Sequence, residues 1–277
     1  MSAIDDSTAA YEARVEALRF ALGRIESLAV AYSGGVDSSV LLHAAHGRLG
    51  DRAVGVIADS ASLPRRELEQ AREVAARIGA HLVVLATAEM DDPRYRANAG
   101  DRCYFCKSAL FDALEPWARA NGFEHVAFGE IADDALDVRP GGRAAHERGV
   151  RAPLVEAGFT KDDVRRYARE HGLPVADKPA SACLASRLPV GTAVTPERLA
   201  RIEAAEDALR DLGYRVLRVR DHGELARVEI GTAEIEAARA SPGRIEAAVR
   251  AAGFALLELA VYVPPAERGN SGNVVRA

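Results

Sequence analysis

The feature that most constrains this chain is a glycine turn that lies between an apolar run and a helix-like segment. Residues 28–32 form the apolar run, residues 33–38 read Ser-Gly-Gly-Val-Asp-Ser, and apolar residues continue from 40 to 45. A strand, a glycine turn and a helix in this order are typical of a loop that binds phosphate. The turn has no lysine and does not follow the pattern GxxxxGK followed by Ser or Thr, so it is not a Walker loop.

The same order of strand and helix recurs along the first half of the chain. An amphipathic helix is predicted first, and it precedes the glycine turn. Strands are predicted at 28–32, 53–58, 81–86 and 125–129, and helices at 11–28, 64–78 and 107–120. Strands that alternate with helices of about 10–15 residues indicate a parallel sheet with helices on both faces. We therefore predict an α/β fold.

The pattern changes near residue 191, which predicts a second domain. Two polar segments before it, 90–101 and 131–152, are predicted to be long loops. Beyond it, Thr195 and Pro196 predict the start of a helix that runs to residue 212. Strands are then predicted at 214–220, 225–230 and 255–263, and helices at 232–239 and 242–252. The sequence predicts domains at 1–190 and 191–277, the second a smaller α+β domain, and a loosely ordered tail after Pro265.

The charge balance argues against a protein that holds nucleic acid mainly through phosphate neutralisation. The chain of 277 residues has 36 basic and 41 acidic residues and a formal net charge of −5. Three of the basic residues are lysines, a skew that we attribute to codon usage. The first residues contain Asp5 and Asp6 rather than a basic, apolar signal segment, and no run is long enough for a membrane span. We expect a cytoplasmic protein with no membrane partner.

The glycine turn offers several groups to an anion. Gly34 and Gly35 let the backbone approach a ligand closely, and the amides at the helix start, Val36 to Ser39, point at an anion held by the positive end of the helix dipole. Asp37 is suited to a magnesium ion that accompanies the phosphates. The competing interpretation is a serine-rich turn with no ligand. The hydroxyl groups that we expect to donate to phosphate oxygens are those of Ser33, Ser38 and Ser39.

The three cysteines form a C-x-x-C pair, Cys103 and Cys106, and a distant Cys183. None lies in an apolar strand, where an inert buried cysteine is expected. Zinc is one interpretation, with His81 or His125 as a fourth ligand, although neither is at motif spacing. A 4Fe-4S cluster with one iron free of protein ligands is another. A thioredoxin-like redox pair is a third, disfavoured because the motif does not lie in the first strand-helix unit, and Cys183 taken alone can be an inert thiol.

The glycine turn resembles the PP-loop of ATP pyrophosphatases, and segments along both predicted domains resemble the LarE family. The resemblance implies ATP as substrate, with its β and γ phosphates on the loop and its adenosine near Ala58, Asp59 and Ser60. The tail from Tyr262 departs from the family pattern, so nothing is carried over beyond Arg227. The segments that carry the resemblance are SGGVDS, SASLPRREL at 60–68, DDALDVRPG at 133–141, ACLASR at 182–187 and LRVRDHGELARVE at 217–229.

The resemblance to LarE implies a sulfur transferase for the nickel-pincer cofactor of lactate racemase. Its substrate is pyridinium-3,5-biscarboxylic acid mononucleotide, whose carboxylates are adenylated and become thiocarboxylates. Some family members sacrifice the sulfur of one cysteine, which corresponds to Cys183. Others have three cysteines suited to a 4Fe-4S cluster that carries an extra sulfide. Because Cys103 and Cys106 are both present, this chain resembles the cluster type, with a sulfide donor and a homo-oligomeric, hexameric state also implied.

An anionic substrate requires cationic side chains, and two adjoin the cysteines in sequence. Lys107 follows Cys106 and Arg187 lies four residues after Cys183, so we expect both to contact the substrate. Further basic residues, Arg218, Arg220 and Arg227, either form an anion site of the second domain or are solvated. The acidic group Asp133, Asp134 and Asp137 either holds a second magnesium or forms a solvated loop.

Three alternative functions share part of this pattern. A tRNA thiolase also joins a PP-loop to cysteines, but the acidic balance disfavours nucleic acid as a partner. A ligase such as NAD or GMP synthetase does not need the three cysteines. A non-catalytic nucleotide-binding or iron-sulfur sensor would bind ATP without releasing pyrophosphate.

Overall fold

A computed structural model describes residues 3–135, 140–179 and 182–263. The chain divides into two compact units, Met1–Ala182 and Cys183–Ala277, so the division falls before the predicted boundary at 190/191. No helix in the described ranges is long and apolar enough to cross a membrane. Asp137 and the predicted tail after Pro265 lie outside the described residues.

The first unit is built on a parallel sheet. Its strands are β1 (Leu28–Ala31), β2 (Ala53–Asp59), β3 (His81–Ala86) and β4 (His125–Phe128). They lie in the order β3-β2-β1-β4, and every neighbouring pair is parallel. The chain therefore moves outward from β1 in one direction to β2 and β3, and in the other to β4. Ligands of open α/β sheets bind at the carboxyl edge, where the strand order reverses in this way.

Helices cover both faces of this sheet, which confirms the predicted α/β class. They are α1 (Ala3–Gly23), α2 (Val36–Leu49), α3 (Arg65–Ile78), α4 (Pro93–Ala97), α5 (Arg102–Ala120), α6 (Ala132–Ala135), α7 (Pro140–His146), α8 (Pro153–Glu156) and α9 (Lys161–Glu170). Side chains alternate along β1: Leu28 and Val30 enter a core shared with α1, α2, α3 and α9, while Ala29 and Ala31 enter a core shared with α5 and α7.

The structure corrects three sequence expectations in this unit. The segment 90–101, predicted as a loop, contains α4, and the segment 131–152 contains α6 and α7. The helix predicted from residue 107 begins at Arg102, so the C-x-x-C pair belongs to the first two turns of α5. Helix α9 was not predicted. Its first turn is closed by a capping box between Thr160 and Asp163, which satisfies backbone groups at the helix start.

The second unit has a small mixed sheet of three strands. They are β5 (Leu217–His222), β6 (Leu225–Ile230) and β7 (Leu256–Val261), accompanied by α10 (Pro196–Asp211), α11 (Ile235–Ala240) and α12 (Pro242–Ala251). Strand β6 is central, antiparallel to β5 and parallel to β7. Val219 and Val228 are fully buried, as are Ile202 on α10 and Ile245 on α12, so this unit has a core of its own. The predicted smaller α+β domain is confirmed in its class.

Candidate functional site

The glycine turn joins the carboxyl end of β1 to the start of α2. Gly34 has φ +69°, and a Cβ there would lie 2.7 Å from the Cβ of Ala71 on α3. Only glycine takes this conformation without strain and also fits against α3. Helix α2 begins at Val36, so its first backbone N–H groups, which have no acceptor within the helix, are exposed to the turn. The turn therefore has the geometry of an anion site.

Hydroxyl groups hold the turn in shape. Ser38 Oγ accepts a hydrogen bond from the Ser33 N–H at 3.2 Å, lies 3.1 Å from Ser33 Oγ and donates to the Gly35 carbonyl at 3.2 Å. Ser39 differs, because its hydroxyl is fully buried and donates to Tyr32 Oη, while its N–H bonds the Gly35 carbonyl. The structure thus corrects the prediction that the Ser39 hydroxyl faces phosphate.

The residue that follows β4 closes the back of the turn. A Cβ on Gly129 would lie 2.7 Å from the backbone nitrogen of Ser38 and 2.9 Å from its Cα. These are backbone atoms that cannot rotate away, so the chain after β4 approaches α2 as closely as glycine allows. The carboxyl ends of β1 and β4 thereby meet at the first turn of α2.

Two lysines that the sequence did not single out bind the turn. Lys161, the first residue of α9, places its Nζ 2.8 Å from both carboxylate oxygens of Asp37. Lys178 donates to Glu67 at 2.7 Å and to the Gly34 carbonyl at 3.3 Å. Both contacts join residues far apart in the sequence. The turn is therefore lined by cations of this chain, although its own sequence contains none.

Arg65 binds the turn at the end of β2, where the resemblance implies the adenosine site. Arg65 donates to a carboxylate oxygen of Asp59 at 2.6 Å and to the carbonyl of Ser60 at 2.9 Å. The hydroxyl of Ser60 lies 3.3 Å from that of Ser62, which bonds Tyr95 Oη at 2.6 Å. Ala58, Asp59 and Ser60 are half-buried. They form an ordered turn beside the glycine turn, since β2 neighbours β1.

The C-x-x-C pair lies in the first two turns of α5, with Cys103 exposed and Cys106 half-buried. A helix start stabilises thiolates, and thiolates are the ligands that iron-sulfur clusters and zinc take. Burial lowers the pKa of the neighbouring Lys107, while negative charge on Cys106, Cys103 and Glu130 opposes that shift. Glu130 is itself buried and accepts from His146 at 2.7 Å when that ring is protonated on Nε2. The donor set of this pair fits a soft metal.

Cys183 begins the second unit, where Arg187 is hydrogen-bonded to its backbone. The buried guanidinium of Arg187 donates to both carboxylate oxygens of Glu206, at 2.8 and 3.0 Å, and to the Cys183 carbonyl at 3.0 Å. Burial acts to raise the pKa of Glu206, but the hydrogen bond and charge of Arg187 and the charge of Arg210 outweigh it and lower this pKa. Arg187 therefore positions the segment that carries Cys183.

The other predicted basic residues have different surroundings. Arg220 donates to Glu229 at 2.7 Å and to the Ser186 carbonyl at 3.3 Å, and exposed Arg227 pairs with Glu258. Burial lowers the pKa of Arg218, whose guanidinium lies over the Tyr262 ring. The three arginines of the predicted anion site thus belong to the sheet of the second unit.

The acidic group at residues 133–137 does not assemble into a metal site in the described part of the chain. Asp133 accepts the backbone N–H of Lys161 at 2.7 Å and so caps the start of α9. Within the described ranges, no three His, Cys, Asp or Glu side chains gather as a metal group. Asp133 is exposed and caps this helix start, while Asp137, the third member of the acidic group, lies outside the described residues.

Four residues near the candidate site were not singled out from the sequence. Glu130 and Glu206 are buried carboxylates, and nothing in the local sequence distinguishes them from exposed ones. Lys161 and Lys178 were visible in principle, because they are two of three lysines in a chain that otherwise uses arginine. The Thr160 and Asp163 spacing is a capping box and could have predicted the helix that carries Lys161.

Comparison with known proteins gives two relatives that match most of this chain and a third that matches just over half of it. A protein of Synechocystis sp. described as uncharacterized is 45% identical over 225 residues, 81% of this chain and 84% of that protein. The pyridinium-3,5-bisthiocarboxylic acid mononucleotide synthase of Lactiplantibacillus plantarum is 35% identical over 240 residues, 86% of this chain and 87% of that protein. A glutamine-hydrolyzing GMP synthase of Aeropyrum pernix is 31% identical over 181 residues, 58% of this chain and 34% of that protein. No protein-family profile matches the chain.

Proposed function

Because this chain belongs to the LarE family, we propose that it is an ATP-dependent sulfur transferase that acts on pyridinium-3,5-biscarboxylic acid mononucleotide. The observation that carries the proposal is the phosphate loop of residues 33–38 in a chain 35% identical, over most of both lengths, to the synthase of L. plantarum. The proposed product is the thiocarboxylate form of the substrate, used for the nickel-pincer cofactor of lactate racemase.

The proposed reaction has two steps at each carboxylate. In the first, a carboxylate oxygen attacks the α-phosphorus of ATP, the bond from that phosphorus to the bridging oxygen breaks, and pyrophosphate leaves. In the second, a sulfur nucleophile attacks the carboxyl carbon, the bond from that carbon to the adenylate oxygen breaks, and AMP leaves. The acyl adenylate thus converts a poor leaving group into a good one.

The phosphate loop supports the first step. Amides at the start of α2 and the hydroxyls of Ser33 and Ser38 would hold the β and γ phosphates, which leave together as pyrophosphate. Magnesium, when bound at Asp37, would neutralise charge on the leaving group. Oxygen donors fit that ion, which usually takes one or two carboxylates together with phosphates and water. Asp59 and Ser60 lie beside the loop, where we propose that the adenosine binds.

The sulfur of the second step is proposed to involve all three cysteines. Cys103, Cys106 and Cys183 would hold a 4Fe-4S cluster, which supplies a sulfide to the reaction when it carries one. The presence of the C-x-x-C pair near the start of α5 supports this route over the sacrifice of Cys183. Lys107, next to the pair, is proposed to contact the substrate, and Arg187 to position Cys183 through its carbonyl. A cytoplasmic location, a sulfide donor and a homo-oligomeric state remain predictions.

The proposed function is tested by pyrophosphate release. Full-length protein is incubated with ATP and magnesium, with and without the biscarboxylate mononucleotide. We expect release only when the substrate is present, and a loss of at least about tenfold in Asp37→Asn. ATP binding without release would contradict the proposal and favour a sensor. A gel shift with tRNA, together with no turnover of the mononucleotide, would favour a tRNA thiolase.

The source of sulfur needs a separate measurement. After anaerobic reconstitution with iron and sulfide, we expect a broad absorption band near about 400 nm that is lost in Cys103→Ser. The protein mass should be unchanged after turnover. A colourless protein that loses about 34 Da, the mass of hydrogen sulfide, would show that Cys183 is consumed and would overturn the cluster route while leaving the proposed reaction intact.

A further inference from the structure

The ion pair between Lys161 and Asp37 crosses from α9 to the phosphate loop. The ammonium is 2.8 Å from each carboxylate oxygen, and the two side chains are 38% and 25% exposed. A cation therefore already covers the carboxylate that suits magnesium.

The backbone around Lys161 is fixed, although its side chain is long. The Thr160 and Asp163 capping box closes the helix start, and Asp133 accepts the Lys161 N–H at 2.7 Å. Farther along α9, the hydroxyl oxygen of Tyr167 lies 3.1 Å from the Nδ1 atom of His43 on α2. Helix α9 is thus held against the helix that bears the loop. Only the four-carbon stem of Lys161 needs to rotate for the ammonium to leave Asp37.

Two cations at one carboxylate repel each other by several kcal/mol at about 4 Å and an effective dielectric of 20, so each weakens the binding of the other. Magnesium at Asp37 would therefore compete with Lys161 for the carboxylate. The adjacent phosphates, which the loop amides would hold, are the nearest strong acceptors for the released ammonium.

We propose that Lys161 is an internal counter-ion that occupies Asp37 before magnesium and ATP bind, and that transfers its ammonium to the phosphate oxygens when they do. This inference rests on the proposed function, because it assumes ATP at the loop. It assigns Lys161 two opposite effects. The lysine competes with magnesium for Asp37, and it strengthens the binding of the nucleotide itself.

The test is ATP binding, measured by calorimetry with full-length protein and without the mononucleotide. Two quantities are compared: the Kd for ATP in EDTA, and the magnesium concentration that gives half of the full gain in affinity. In Lys161→Met we expect the Kd in EDTA to rise about tenfold and the half-effective magnesium concentration to fall about threefold, as expected for losing a partly exposed ion pair. Lys161→Arg keeps the positive charge and should therefore leave the Kd for ATP in EDTA close to that of the wild type.

The matched control is Arg169→Met, which removes one positive charge from the other end of α9, where Arg169 pairs with Asp177. It should leave both quantities unchanged. If Lys161→Met changes neither, or raises both together, the lysine is only an anchor for α9 and the inference is overturned. If the wild-type protein binds no ATP in either condition, the proposed function fails and this inference fails with it.

Discussion

At the scale of single residues, burial determines how strongly the loss of one partner of an ion pair affects the stability of this protein. Glu206 is fully buried and accepts from Arg187, Arg210 and the Val219 N–H. Glu236 is exposed and pairs with Arg239 in the next helical turn. The same carboxylate chemistry therefore has two very different energetic contexts within one unit.

Glu206→Gln should destabilise the second unit by about 3–5 kcal/mol, because it leaves the buried Arg187 guanidinium without a counter-charge. Glu236→Gln, the matched control, should change stability by at most about 0.5 kcal/mol. Urea denaturation followed by circular dichroism measures both. Equal effects of the two substitutions would contradict the assigned role of Glu206.

Gly129→Ala should disturb the start of α2, since the new methyl group would lie 2.7 Å from the Ser38 nitrogen. We expect a loss of about 1–3 kcal/mol in stability, as for other overpacked sites, and weaker ATP binding. Gly47→Ala is the control on the same helix. It meets no atom within 4 Å and should stabilise the protein by up to about 1 kcal/mol. Unchanged ATP affinity in Gly129→Ala would show that the loop tolerates displacement.

At the scale of elements, α2 and α9 share an apolar core and also contact each other through aromatic rings. The ring of His43 lies edge-on to that of His171 at 4.8 Å, and Tyr167 stacks on His171 at 4.0 Å. Burial lowers the pKa of His43, and charge on His171 and His46 acts in the same direction. Burial also raises the pKa of Tyr167 to about 12, so this residue stays neutral.

Acid should weaken this contact between the helices. Because the fold depresses the pKa of His43, the unfolded chain, with a histidine pKa of about 6.5, takes up the proton first, so stability is lost as pH falls below that value. Thermal melts between pH 7.5 and 5.5 should show a smaller decrease in Tm for His43→Gln than for the wild type. Parallel curves would exclude His43 as the titrating group.

Strand β3 and helix α9 show what local sequence patterns can and cannot predict. The strand predicted at 81–86 coincides with β3, because its apolar run is continuous. Helix α9 was missed because charged residues dominate its sequence, although Val164, Tyr167 and Ala168 form a buried stripe at helical spacing. Its contact with Asp37 could not be predicted, because it depends on how distant segments pack and not on local spacing.

At the scale of the whole molecule, sequence patterns predicted the parallel sheet and the mixed α+β unit, but the arrangement of the side chains only in part. The sequence predicts Cys103 and Cys106 just before a helix that starts at residue 107, whereas both lie inside α5, which begins at Arg102. Arg187 was predicted to contact substrate because of its charge and position. Its pairing with Glu206 depends on α10 packing over the segment of Cys183, which charge patterns do not encode.

ATP with magnesium should stabilise the protein as a ligand that binds only the folded state. At a hundredfold excess of free ATP over its Kd, the linkage contributes about 2.7 kcal/mol. Differential scanning fluorimetry should therefore show a higher Tm for the transition of the first unit with magnesium and ATP than with magnesium alone. An unchanged Tm at saturating ATP would contradict nucleotide binding at the loop.

The positions of the lysines also allow ligand binding at the candidate site to be followed by chemical labelling. All three lysine side chains belong to the first unit, and Lys161 and Lys178 bind at the phosphate loop while Lys107 adjoins the C-x-x-C pair. An amine-selective acylating reagent therefore has side-chain targets only around the candidate site. Peptide mass mapping after such labelling could follow ligand binding at each lysine without an engineered probe. The 33 arginines would not react with this reagent.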